Sequence, residues 1–172
     1  MKLTLLFRSL KNFLVAMVVL GSVSSSALAS YSQVVFFGDS LTDTGNLYAT
    51  TGIPASPPYY NGSFSNGPLW SQTLSSWLGS SLTPSVFPGG NNYAWAGATV
   101  IDYNRPIPLI PQQLANYYLP STQGKADPSA LYVILGGAND INEASKDPAT
   151  AAANIVSAAY AIDGMVDALY AA

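Results

Sequence analysis

Two short apolar runs, each ending in glycine and a polar turn, constrain this chain more than any other feature. The first, Ser32 to Phe37, is rich in Val and Phe and runs into Gly38-Asp39-Ser40. The second, Leu131 to Leu135, has β-branched members and runs into Gly136-Gly137-Ala138-Asn139-Asp140. Runs of this length and composition predict buried strands. The order strand, loop, helix, strand, helix then predicts parallel pairing in an α/β layer. Open parallel sheets carry their sites beyond the carboxyl ends of their strands. Ser40 and Asn139 both stand at such ends, so they can converge although 99 positions apart in sequence.

The segments between the strands carry further signals. Asn66-Gly67-Pro68 predicts a helix start, with Pro68 at the first helical position. Trp70, Leu74, Trp77 and Leu78 follow at helical spacing and Gly79 closes the segment, which predicts tryptophans in the core. Leu47 to Phe64, with Pro54, Pro57, Pro58 and Gly62, predicts a long irregular loop. Its tyrosines either line a substrate face or pack on their own neighbours. Ser80 to Gly90 reads as another loop, Tyr93 to Ala98 as a short strand entering a tight turn at Gly97, and Gln112 to Leu119 as a short helix. Asp147 and Pro148 read as the N-cap and first residue of a last helix. Its Ile155, Ala159, Ile162, Val166 and Leu169 share one face.

The first 29 residues have the pattern of a cleaved export signal. Lys2, Arg8 and Lys11 precede eight consecutive apolar residues, Phe13 to Leu20, and Ala27-Leu28-Ala29 has the small-x-small form of a cleavage site. Eight residues reach about 12 Å as a helix, well short of a hydrocarbon core of about 30 Å. The expectation is an exported protein, periplasmic or extracellular, with no integral span after cleavage and one domain over residues 30–172. That domain carries three basic and nine acidic side chains, a formal charge of −6. This balance argues against nucleic acid and against an anionic membrane surface as partners. The chain has neither Cys nor His, which excludes disulfides and thiolate metal sites and leaves no ordinary ligand set for a transition metal. No metal and no cofactor is expected; oligomeric state is left open.

Ser40 at the tip of a turn is well presented as a nucleophile, but a serine hydroxyl normally needs an adjacent base. With no histidine, the remaining candidates are carboxylates. Asp39 reads as an Asx turn, Asp43 as a tie to nearby backbone donors, and Asp140 as a cap for the segment that follows it. A carboxylate with an ordinary pKa of ~4 deprotonates serine poorly, which speaks against Asp43 or Asp140 as the base.

Four blocks, in order, resemble those of the SGNH/GDSL hydrolases, a family of serine esterases and lipases. They are Gly38-Asp39-Ser40-Leu41, extended by Thr42 to Asn46; Ser65-Asn66-Gly67-Pro68-Leu69-Trp70; Asn92-Tyr93-Ala94-Trp95-Ala96-Gly97-Ala98-Thr99; and Gly137-Ala138-Asn139-Asp140. The resemblance covers about residues 33 to 141 together with the final helix, and implies a flavodoxin-like, three-layer α/β/α sandwich with a mostly parallel sheet. It also implies that Ser40 is the nucleophile. The N–H groups of Ser40 and Gly97 and the side-chain amide of Asn139 would then form an oxyanion hole acting on a small-molecule or lipid ester. The family's closing Asp-x-x-His block has no counterpart: Asp163 and Asp167 lie on the last helix with no His after them. Several strands of the family's sheet are also without counterpart. The expectation is therefore an N-terminal portion, truncated before that block. It should be inactive or nearly so as an esterase, and prone to self-association through an exposed sheet edge. The alternatives are a non-catalytic module binding an ester or glycan, and a decayed product without a function of its own.

Overall fold

The structure, a computed structural model, describes residues 31–172. The leader predicted for residues 1–29 lies outside them. Strand β1 (Val34–Gly38) is buried along its whole length and pairs in parallel with β2 (Leu131–Leu135), in register from Val34↔Leu131 to Gly38↔Leu135. Its other edge is also occupied. Phe36 N–H donates to the Asn91 carbonyl (3.0 Å), Tyr93 N–H to the Phe36 carbonyl (2.7 Å) and Trp95 N–H to the Gly38 carbonyl (3.0 Å). A strand flanked on both edges and covered on both faces needs apolar side chains throughout, which is why Val34-Val35-Phe36-Phe37 shows no alternation.

Helices cover both faces. Phe37 stacks on Tyr93 and meets Tyr118 edge-on, within a core that also holds Val35, Val100, Ile110, Leu114 and Met165. On the opposite face Phe36 meets the ring of Trp70 edge-on at 5.7 Å. This is the expected α/β class with a parallel sheet and helices on either side. Among the described residues that sheet has two strands, and no strand pairs with the outer edge of β2.

Several local expectations are corrected. Tyr93 to Ala98 is not a strand: only Asn92 bridges to β1 before the chain turns away. The place beyond it is taken by the buried Gln113 side chain, which accepts from Gly38 N–H and donates to the Gly38 carbonyl, both at 2.8 Å. The loop expected from Leu47 begins instead as α1 (Asn46–Thr51). The Asp43 carboxylate caps it by accepting the N–H groups of Gly45, Asn46 and Leu47.

Helix α2 (Trp70–Trp77) starts two residues later than Pro68 suggested, with Gln72 reaching back to the Leu69 N–H. Its tryptophans are not core. Ser71 and Ser75 are the buried residues, and Trp77 is 81% exposed. Serines four apart allow the helix backbone to approach the nucleophile loop closely, with Ser71 Oγ donating to the Thr42 carbonyl at 3.5 Å, and the bulky residues are left outside.

The region expected as one short helix consists of α3 (Ile110–Gln112), a π-helical stretch (Gln113–Tyr118) and α4 (Leu119–Ser121). The wider π winding brings Gln113, Leu114 and Tyr118 inward together. After β2 comes α5 (Ala138–Ala144), which was not foreseen, and then α6 (Ala151–Ala171). Asp147 and Pro148 open a turn rather than α6 itself: Thr150 is the N-cap, and its hydroxyl donates to the Asp147 carboxylate at 2.8 Å. The inward face of α6 is Ala158, Ala161, Ile162, Met165 and Leu169. Ile162 and Leu169 were expected there, whereas Ile155, Ala159 and Val166 are exposed, because the face centred on the buried Ala158 and Met165 is the one that packs on the core.

Candidate active site

The site is built from three loops at the carboxyl ends of the strands. The first leaves β1. Asp39 folds the chain back at once, its Oδ1 accepting from Leu41 N–H (3.0 Å) and its carbonyl from Thr42 and Asp43 N–H (3.0 and 2.9 Å). This is the Asx turn expected of Asp39, and it leaves Ser40 half-buried at the corner. Among the described residues neither the N–H nor the hydroxyl of Ser40 has a hydrogen-bond partner. Burial pushes the Asp39 carboxyl up; the Leu41 N–H pulls it partway back and nearby Asp140 adds to the rise.

The second loop is the glycine block. Ala98 N–H donates to the Trp95 carbonyl at 3.0 Å, closing a four-residue turn with Gly97 third at φ +84°. That is type II geometry, which requires a positive φ there and so favours glycine. Three groups beside the Gly97 N–H are engaged. Ala96 N–H donates to Asp43 Oδ2 (2.8 Å), the Gly97 carbonyl accepts from Arg105 Nη1 (3.0 Å), and the Ala98 carbonyl accepts from Asn139 Nδ2 (2.8 Å). The Gly97 N–H itself has no partner among the described residues. A Cβ at this position would lie 3.0 Å from Ile107 Cδ1.

The third loop leaves β2 and becomes α5 after Gly137, itself at φ +104°. Asn139 lies in the first turn, half-buried, with one amide hydrogen on the Ala98 carbonyl. Asp140 does not cap its own segment as expected. It is fully buried and reaches across to the glycine loop, accepting from Val100 N–H (2.9 Å) and Ile101 N–H (3.0 Å). Asp43 is the tie that was expected, and it reaches further: its four N–H partners span α1 and the glycine turn. Burial raises its carboxyl, and those donors pull it back.

The structure therefore joins the loops of all three predicted residues in series. The nucleophile turn is tied to the glycine turn through Asp43, and the glycine turn to Asn139 directly. Two cavities of about 520 and 700 Å³ lie elsewhere, one lined by Val35, Phe87, Tyr93 and Tyr118, the other by Tyr132, Ile134, Leu169 and Tyr170. Among the described residues no cluster of His, Cys, Asp and Glu could hold a metal ion, and no helix is long and apolar enough to cross a membrane.

Sequence reasoning missed several supporting residues. Buried Asn46 donates to the Asn92 and Ala94 carbonyls, both at 2.8 Å, and buried Asn92 donates to the Thr42 carbonyl at 2.8 Å. Nothing in their spacing marks them. Arg105 had a signal: it is the sole arginine after Arg8.

A parallel α/β core with a half-buried serine after one strand and an asparagine after the next is the arrangement expected of an SGNH-type hydrolase. The chain belongs to the GDSL-like Lipase/Acylhydrolase family, whose model matches residues 34–166. It is similar to a phosphatidylcholine-sterol acyltransferase of Aeromonas hydrophila, 36% identical over 137 residues, covering 74% of this chain and 38% of that protein. It is similar to Lipase 1 of Photorhabdus luminescens, 34% identical over 160 residues, covering 91% of this chain and 23% of that protein. The secreted effector protein SseJ of Salmonella typhimurium is 32% identical over 132 residues, 70% of this chain and 29% of its own length. The chain thus spans well under half the length of these relatives.

Proposed function

We propose that this chain carries the nucleophile and the oxyanion-stabilising half of an exported serine ester hydrolase. Ser40 attacks the acyl carbon. The N–H groups of Ser40 and Gly97 and the free amide hydrogen of Asn139 receive the oxygen that becomes negative. Fixed donors aimed at that oxygen act on the transition state, and one is typically worth ~3 kcal/mol. The observation that carries this reading is that the donors in question are unspent while the groups that fix their loops, Ala96 N–H, the Gly97 carbonyl and the Ala98 carbonyl, are each engaged. Family membership and the names of the relatives support acyl esters, lipids among them, as the substrate class. The leader pattern supports export, followed by a hydrolase domain over residues 30–172.

No histidine occurs in these 172 residues, so proton transfer is the missing part. Loss of a triad member can cost ~10⁴ to 10⁶ in turnover, leaving what binding and oxyanion stabilisation supply. Alone, the chain turns over esters barely above background. The test supplies the base from solution: hydrolysis of p-nitrophenyl butyrate by the full chain is measured with increasing imidazole. The expected result is a saturable rate above that of imidazole alone, absent in Ser40→Ala. An excess rate that persists in Ser40→Ala removes Ser40 from its role.

The lack of histidine also favours a second reading, a module that binds esters or glycans without cleaving them. Saturable ester binding, with no Ser40-dependent turnover at any imidazole concentration, selects that reading.

A further inference from the structure

Arg105 belongs to no block of the family resemblance, yet its guanidinium touches two of the three loops. Nη1 donates to the Gly97 carbonyl at 3.0 Å, and Nη2 is ion-paired with Glu143 on α5. Glu143 is held in turn by Lys146 Nζ at 2.7 Å. Lys146 first, and Arg105 after it, keep the Glu143 carboxyl below its ordinary range, so the pair stays charged near neutral pH.

Asn139 makes the other link between the same two elements, through the Ala98 carbonyl. A single hydrogen bond fixes a distance and leaves a hinge. Two links, on adjacent residues of the turn and one helical turn apart on α5, fix orientation as well. Only a planar fork holds a carbonyl and a carboxylate at once in set directions; a lysine ammonium does not.

We propose that Arg105 is a positioning residue: by fastening the Gly97 carbonyl to Glu143 it holds the Gly97 N–H and the Asn139 amide in one fixed relation, so that both meet the same oxygen. The inference rests on the reading of Gly97 and Asn139 as oxyanion donors. It predicts an effect on the rate of the chemical step rather than on folding, because a partly exposed ion pair contributes little to stability. Its cationic charge beside the turn also favours the charge that develops there.

The test uses the full chain with imidazole as base. R105M keeps the apolar stem and removes the fork. The expected result is a maximal Ser40-dependent rate lower by roughly tenfold or more, as for a small misplacement of a reacting group. KM and the melting temperature should stay nearly unchanged. R105K and Glu143→Gln, each keeping part of the linkage, should fall between. An unchanged maximal rate in R105M, or a raised KM alone, overturns the proposal.

A second readout needs no turnover. In ¹H–¹⁵N spectra the Gly97 amide should give one sharp resonance in the parent chain and a broadened or doubled one in R105M. A resonance equally sharp in both overturns the proposal at any rate. A rate that survives Ser40→Ala marks failure of the underlying reading instead, so the two failures are distinguishable.

Discussion

The two strands of the sheet have the same length and similar composition, but they live in different surroundings. Val34 to Phe37 of β1 are completely buried, flanked on both edges. The residues of β2 are half-buried, Leu135 is 36% exposed, and helix α6 behind it presents Val156, Tyr160, Val166 and Tyr170 to solvent. The difference teaches where this molecule invests its order. The end bearing the nucleophile is enclosed and its loops are tied together by the buried Asp43, Asn92 and Asp140 side chains, while the β2–α6 side is loosely covered. Local opening should follow that gradient.

The comparison can be broken most severely at Phe37. Phe37→Ala removes a fully buried ring packed on Tyr93 and Tyr118 and should cost about 3–5 kcal/mol in urea unfolding. A loss below about 1 kcal/mol would mean that the β1 side is no better packed than β2. Asp43→Ala comes next. It orphans N–H groups in α1 and the glycine turn and should cost about 3 kcal/mol, together with the Ser40-dependent rate.

A smaller effect concerns pH. Burial holds the Asp39 carboxyl above its ordinary 3.8, so the folded state keeps this proton to a higher pH than the unfolded chain. Stability from this group is therefore lost as pH rises from near 3.8 through the raised value. Asp39→Asn retains the acceptor for Leu41 and has nothing to ionise. Its stability, measured by urea melts from about pH 4 to pH 7, should depend less on pH than the parent's; equal slopes would contradict the assigned burial cost. The smallest effect belongs to the periphery. Trp77→Ala, at a side chain 81% exposed, should change stability by about 0.5 kcal/mol or less. A larger loss would show α2 packed far more firmly than described.

The two strands and the turns after them were legible because each is written locally: an apolar run, then a glycine, then a polar side chain. The α2 tryptophans misled for a reason that is also physical. Periodicity reports which residues share a face, and here an apolar face and a serine face competed; close approach to the Thr42 loop favoured the serines. Helix α1 was hidden because its cap, Asp43, was assigned to the loop before it. Arg105, Gln113, Asn46 and Asn92 act on backbone groups 8 to 75 positions away, and no local pattern encodes such a reach.

The Gln113 side chain has a consequence for how such a chain can vary. The last rung of the ladder at Gly38 is completed by a side-chain amide, so the stretch from Gly97 to Leu109 is not needed to finish the sheet. Gly97, Val100, Ile101 and Arg105 are thereby left to hold the loops around the serine, so a change in that stretch bears on those loops before it bears on the strand from which the serine is offered.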